Sequence, residues 1–154
     1  MVPQFMRRFM RLPVSQQLLC LQIVCRLAVI HLQIRSNPVR EFLHPAGNKD
    51  EKNQAAVLGE IVEKVSAHLP WHPRCLEQAL CCCALLSARN IAYEISYGTR
   101  KINEGLEAHA WVTVDDTVIC GASVIAEYQE IARLDSLDLT ASDNIFNASH
   151  QRWR

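Results

Sequence analysis

The chain has 154 residues, 16 Lys plus Arg balanced by 16 Asp plus Glu, and seven cysteines. Its length suits one ordinary domain that buries most of its unfolded surface without covalent staples. Balanced charge gives no field to gather nucleic acid or an anionic membrane, so affinity for phosphate polymers is not expected.

Arg7, Arg8 and Arg11 precede an apolar stretch from Leu18 to Ile34. Gln22, Arg26, His31 and Gln33 interrupt it and no small-residue cleavage site follows, so neither a signal peptide nor a membrane span is expected. On a helical wheel Ser15, Gln22, Arg26 and Gln33 share one narrow stripe, and leucine, isoleucine and valine fill the remaining circumference. Such a helix needs cover on most sides. We expect the rest of the domain to wrap it; the other possibility is a helix that docks a partner or a membrane surface.

After Asn37-Pro38 and a polar stretch from Gly47 to Asn53, Leu58, Ile61, Val62, Val65 and Leu69 repeat at helical spacing, with Glu60 and Lys64 on the outer face. Leu69-Pro70 closes this helix. A third helix is expected to start near Pro73 and run to about Arg89, burying Cys75, Leu76, Ala79, Leu80, Cys83 and Leu86.

The period then changes to two. Ile91, Tyr93, Ile95 and Tyr97 alternate with smaller or polar residues in a strand that ends at Gly98. Ala108 to Val114 and Thr117 to Cys120 flank Asp115-Asp116 and read as a hairpin. From Ser123 to Leu134 a short helix is expected, with Val124, Tyr128, Ile131 and Leu134 as its apolar positions. The polar tail after Asp135 reads as disordered. The expected fold is α+β: helices packed on a small antiparallel sheet. Residues 1–50 form the N-terminal helical region of the same domain, 51–134 the core and 135–154 the tail.

Cys81, Cys82 and Cys83 are consecutive and no spaced ligand pairs occur. Consecutive helical residues point about 100° apart, so these three do not converge on one zinc ion. They read as reduced core thiols in a cytoplasmic protein, and no metal or cofactor is implied. Cys75 differs because it falls in the first turn of a helix, where unpaired N–H groups and the dipole favour a thiolate. A thiolate enzyme needs a base. His31 lies inside the apolar helix, His44, His68 and His72 at element ends or loops, and His150 in the tail. His109 alone begins a strand, between Ala108 and Ala110, with Trp111 on the same face to shield it.

A helix-start cysteine, a strand and then a hairpin histidine resemble the transglutaminase-like branch of the papain-type cysteine enzymes. More narrowly, Cys75-Leu76-Glu77-Gln78-Ala79-Leu80, Ile95-Ser96-Tyr97-Gly98-Thr99-Arg100 and Ala108-His109-Ala110-Trp111-Val112-Thr113-Val114 resemble the leader peptidases of lasso-peptide biosynthesis. The likeness covers about Trp71 to Leu134. It implies a peptidase that removes the leader of a ribosomally made precursor peptide, with Cys75 attacking the scissile carbonyl and His109 carrying the proton. It also implies a small leader-recognition protein and an ATP-dependent macrolactam synthetase as partners.

The family commonly has an Asp about twelve residues after the histidine, where this chain has Gly121. Asp115 does not replace it: six strand residues set it about 20 Å from His109. Glu107, on the same strand face, and Glu127 are the acidic candidates for orienting the imidazole; a backbone carbonyl or water is the other option. The oxyanion is expected at the Cys75 N–H, with Trp71 or Gln78 as second donor. Two other functions use the same features: a non-catalytic module that binds a leader peptide or partner protein, and acyl transfer to an amine instead of water.

Overall fold

The computed structural model describes residues 10–44, 46, 51–103 and 105–137. Among these residues three helices, α1 (Val14–Gln33), α2 (Lys52–Ser66) and α3 (Cys75–Ser87), precede four strands, β1 (Glu94–Ile102), β2 (Gly105–Val114), β3 (Thr117–Cys120) and β4 (Gln129–Asp135). The sheet is antiparallel throughout, in the order β3-β2-β1-β4. This is the α+β arrangement expected from the sequence.

The core forms where helical and strand periodicities meet. On α2 the buried residues include Leu58, Val62 and Val65, with Ile61 and Leu69 packed against them. α3 is apolar all round, and every residue from Ala79 to Leu86 is buried. It occupies the centre, as such a helix must. Burial drives the thiols of Cys81, to about 12, and of Cys83 upward; that of Cys82, which is hydrogen-bonded to Cys120, is raised too. α3 starts at Cys75, two residues later than expected, with Arg74 as N-cap; its backbone N–H donates to Glu77 Oε2 at 3.2 Å. It ends at Ser87, short of Arg89.

α1 departs from its expected setting. Ile23, Leu27 and Ile30 are buried, but Val14, Leu18, Leu21, Val29 and Leu32 are exposed, so the described residues cover one side of the helix and do not wrap it. α1 is long and apolar enough to cross a membrane, a test that a soluble core helix also passes.

β1 starts later and runs further than expected, through Gly98 to Ile102. Gly98 pairs with His109 and lies under the Trp111 ring, whose atoms approach a Cβ position there to 2.9 Å. The glycine makes room for an aromatic ring and does not end the strand. Asp115 and Asp116 both have positive φ, as a two-residue type I′ turn requires, and join β2 to β3.

The helix expected over Ser123–Leu134 is absent. Ala122–Glu127 form a 3₁₀ turn, and Gln129–Asp135 pair with the free edge of β1. An edge strand presents unpaired backbone groups, and a seven-residue partner satisfies them where a short helix does not. Ser136 continues the closure: its N–H donates to Tyr93 O and its Oγ accepts Tyr93 N–H, both at 2.9 Å. The rest of the tail from residue 138, Arg7, Arg8 and residues 47–50 lie outside the described residues.

Candidate active site

β2 sends Ala110, Val112 and Val114 into the core shared with the helices. Strand alternation turns Glu107, His109 and Trp111 to the other side. There Tyr128, directly after the 3₁₀ turn, sits with its ring 5.1 Å from the imidazole, and Trp111 stacks at 6.1 Å. The imidazole is thus held between two aromatic rings and stays half-buried.

Cys75 reaches the same corner from the helices. Its Sγ lies 4.0 Å from the carbonyl oxygen of Ala108, the residue before His109. The first intrahelical bond of α3 runs from Gln78 N–H to Arg74 O, so the N–H groups of Cys75, Leu76 and Glu77 precede the ladder at the helix start. The thiol thus touches the backbone of the residue before His109, and no hydrogen bond joins thiol and imidazole among the described residues. Such catalytic bonds are often long or unformed before substrate arrives.

Among the described residues the imidazole has one hydrogen-bond partner. His109 Nε2 is 2.8 Å from the carbonyl oxygen of Gly121. A carbonyl only accepts, so Nε2 carries the hydrogen and Nδ1 of the neutral ring keeps its lone pair. The backbone of the residue that stands where the family has Asp therefore does the orienting. Gly121 has φ +83°, and a Cβ there would meet Ala110 O at 2.8 Å and Trp111 Cβ at 3.0 Å. A side chain at 121 is excluded twice, by the left-handed backbone and by space.

The carboxylates expected to orient His109 are engaged elsewhere. Glu107 Oε2 accepts from Arg100 Nε at 2.7 Å, and Glu127 forms an ion pair with the same guanidinium. The Arg100 guanidinium also lies 4.9 Å over the Tyr128 ring. Arg100 and the Tyr128 hydroxyl, both hydrogen-bonded to Glu107, hold its carboxyl below the usual range; desolvation and Glu107 raise the Tyr128 phenol. Glu107 and Glu127 thus hold Arg100 over the Tyr128 ring, which contacts the imidazole, instead of bonding to the imidazole themselves.

The two expected second oxyanion donors differ: Gln78 is engaged elsewhere, whereas Trp71 is not. The indole N–H of Trp71 is buried without a partner among the described residues, with its ring 6.3 Å from that of His31. Gln78 Nε2 donates to Pro73 O at 2.8 Å and so secures the chain entering α3. Glu77, buried two residues after Cys75, bridges the Arg74 N–H to His31 Nδ1 at 3.1 Å and ties α1 to the helix start.

Sequence reading missed Arg100 and Tyr128; of its options for orienting His109 the backbone carbonyl is the one found, and it belongs to Gly121. Tyr128 was hidden because its spacing suited a helix. Arg100 lay beyond the expected end of the strand.

The description of the transglutaminase-like superfamily matches the chain over residues 17–133, from α1 into β4. No curated protein and no solved structure matches it.

Proposed function

Because this chain belongs to the transglutaminase-like superfamily, we propose that it is a cysteine peptidase with Cys75 as nucleophile and His109 as general base. The observation that carries this reading is the 2.8 Å contact between His109 Nε2 and Gly121 O, which leaves Nδ1 as the basic nitrogen, on a strand whose Ala108 carbonyl the helix-start thiol touches at 4.0 Å. The Cys75 proton passes to Nδ1 and the thiolate attacks the scissile carbonyl. The Cys75 N–H, at the first position of α3, stabilises the developing oxyanion. As the tetrahedral intermediate collapses, the C–N bond breaks and Nδ1–H protonates the leaving amine. Water, deprotonated by the same nitrogen, then hydrolyses the thioester and restores the thiol.

The substrate we propose is the leader region of a ribosomally made lasso-peptide precursor, cut in the cytoplasm. The Cys75-Leu76 and Ala108-His109-Ala110-Trp111-Val112 motifs support it. A small leader-recognition protein would present the precursor, and an ATP-dependent macrolactam synthetase would close the ring on the freed amine. The test is a mass spectrum of precursor incubated with this protein and the recognition protein. Cleavage at one bond, absent with Cys75→Ala, is expected. Intact precursor in both samples contradicts leader removal, and a product joined to an added amine indicates acyl transfer.

A further inference from the structure

Gly121 is a weak anchor for a base if left to itself, because glycine enters and leaves the left-handed region at little cost. Something must hold its carbonyl on His109. The structure supplies a clamp from α2. At Gly59 the helix comes so close to β3 that a Cβ would lie 1.9 Å from Ile119 O. Glu63 follows one turn later on the same helix face. Its Oε1 accepts the Gly121 N–H at 2.7 Å.

The two polar groups of Gly121 are thereby bound on opposite sides, N–H to Glu63 and C=O to His109. They belong to different peptide units, so the link is conformational and not an electronic relay. With the N–H fixed, φ +83° and ψ 17° aim the carbonyl at Nε2. Glu107 and Glu127 are occupied by Arg100, and Asp115 and Asp116 form the far turn of the hairpin.

Resting on the assignment of Cys75 and His109 as nucleophile and base, we propose that Glu63 is the positioning residue of this site. It offsets the missing side-chain acid by clamping Gly121, which in turn fixes the tautomer and direction of the imidazole. In the chain, a distant helix carboxylate and a glycine backbone together perform what one strand Asp does in the family pattern.

The experiment compares wild type, Glu63→Ala, Glu63→Gln and His109→Ala. Nitrogen chemical shifts of the His109 ring report its tautomer, and site-resolved iodoacetamide alkylation reports the reactivity of Cys75. Wild type should show the Nε2–H tautomer. Glu63→Ala should mix the tautomers and slow Cys75 alkylation about two- to fivefold, as loss of one exposed charged hydrogen bond allows. Glu63→Gln keeps an acceptor and should retain the tautomer and most of the rate. An unchanged tautomer and rate in Glu63→Ala, or equal losses in the Gln and Ala variants, overturns the assignment. If His109→Ala slows Cys75 and Glu63→Ala does not, only the role of Glu63 falls. If His109→Ala also leaves the rate unchanged, the pairing itself falls and the positioning role with it.

Discussion

Replacing Gly59 by alanine sets two effects against each other. By intrinsic propensity the change stabilises an exposed helix interior by up to about 1 kcal/mol. Here the new methyl would lie 1.9 Å from Ile119 O and 2.7 Å from Ile119 C, both rigid backbone atoms. Restoring ordinary contact requires α2 to retreat from β3 by about 1.5 Å, and overpacking of this kind costs about 1–3 kcal/mol or more. We expect a net loss of about 2 kcal/mol, seen as a fall of about 4–8 °C in Tm for a domain of this size. The same retreat carries Glu63 out of hydrogen-bonding range of Gly121 N–H, now 2.7 Å away, so Cys75 alkylation should slow as well. Thermal unfolding by circular dichroism and the alkylation rate are read on the same sample. An alanine variant as stable as wild type, or more so, would refute the close approach of α2 to β3 on which the site's geometry depends.

Two further outcomes concern stability. Ser136→Ala removes the acceptor of the buried Tyr93 N–H and should cost about 1–3 kcal/mol in urea denaturation; an unchanged midpoint contradicts a closed end to the β1–β4 pairing. Burial holds the Tyr93 phenol and the Cys81 thiol protonated up to about 12 in the fold. In the unfolded chain they ionise near about 10 and about 8.5, so over that interval the unfolded state binds fewer protons. Unfolding free energy should therefore fall as pH rises from about 8.5 towards about 12, and a flat profile contradicts their burial.

Much of this fold was legible because its periodicities are local. Leu58, Val62 and Val65 announce α2, and paired aspartates between β-branched runs announce the type I′ hairpin. The segment after Gly121 misled because Val124, Tyr128, Ile131 and Leu134 also fit a helix. Ile131 is exposed, and the strand forms to satisfy the edge of β1, a non-local demand that no window of residues contains. α1 was legible as a helix but not in its surroundings, since three buried residues suffice to dock it. Within the site, Cys75 and His109 were singled out from residue type and placement. The orienting group was legible only as one option, a backbone carbonyl without an address, because the sequence shows side chains and not which carbonyl faces the ring. Glu63 belongs to no motif in the sequence, and only the approach at Gly59 brings it to the hairpin.

The pairing of Cys75 with His109 is tested most directly by the rate of Cys75 alkylation by iodoacetamide at neutral pH, resolved by peptide mass spectrometry, in wild type and His109→Ala. A cysteine with a working base should outpace the other six and lose at least about tenfold in the variant. Equal rates in the two proteins, with Cys75 no faster than an ordinary accessible thiol such as Cys25, would contradict it.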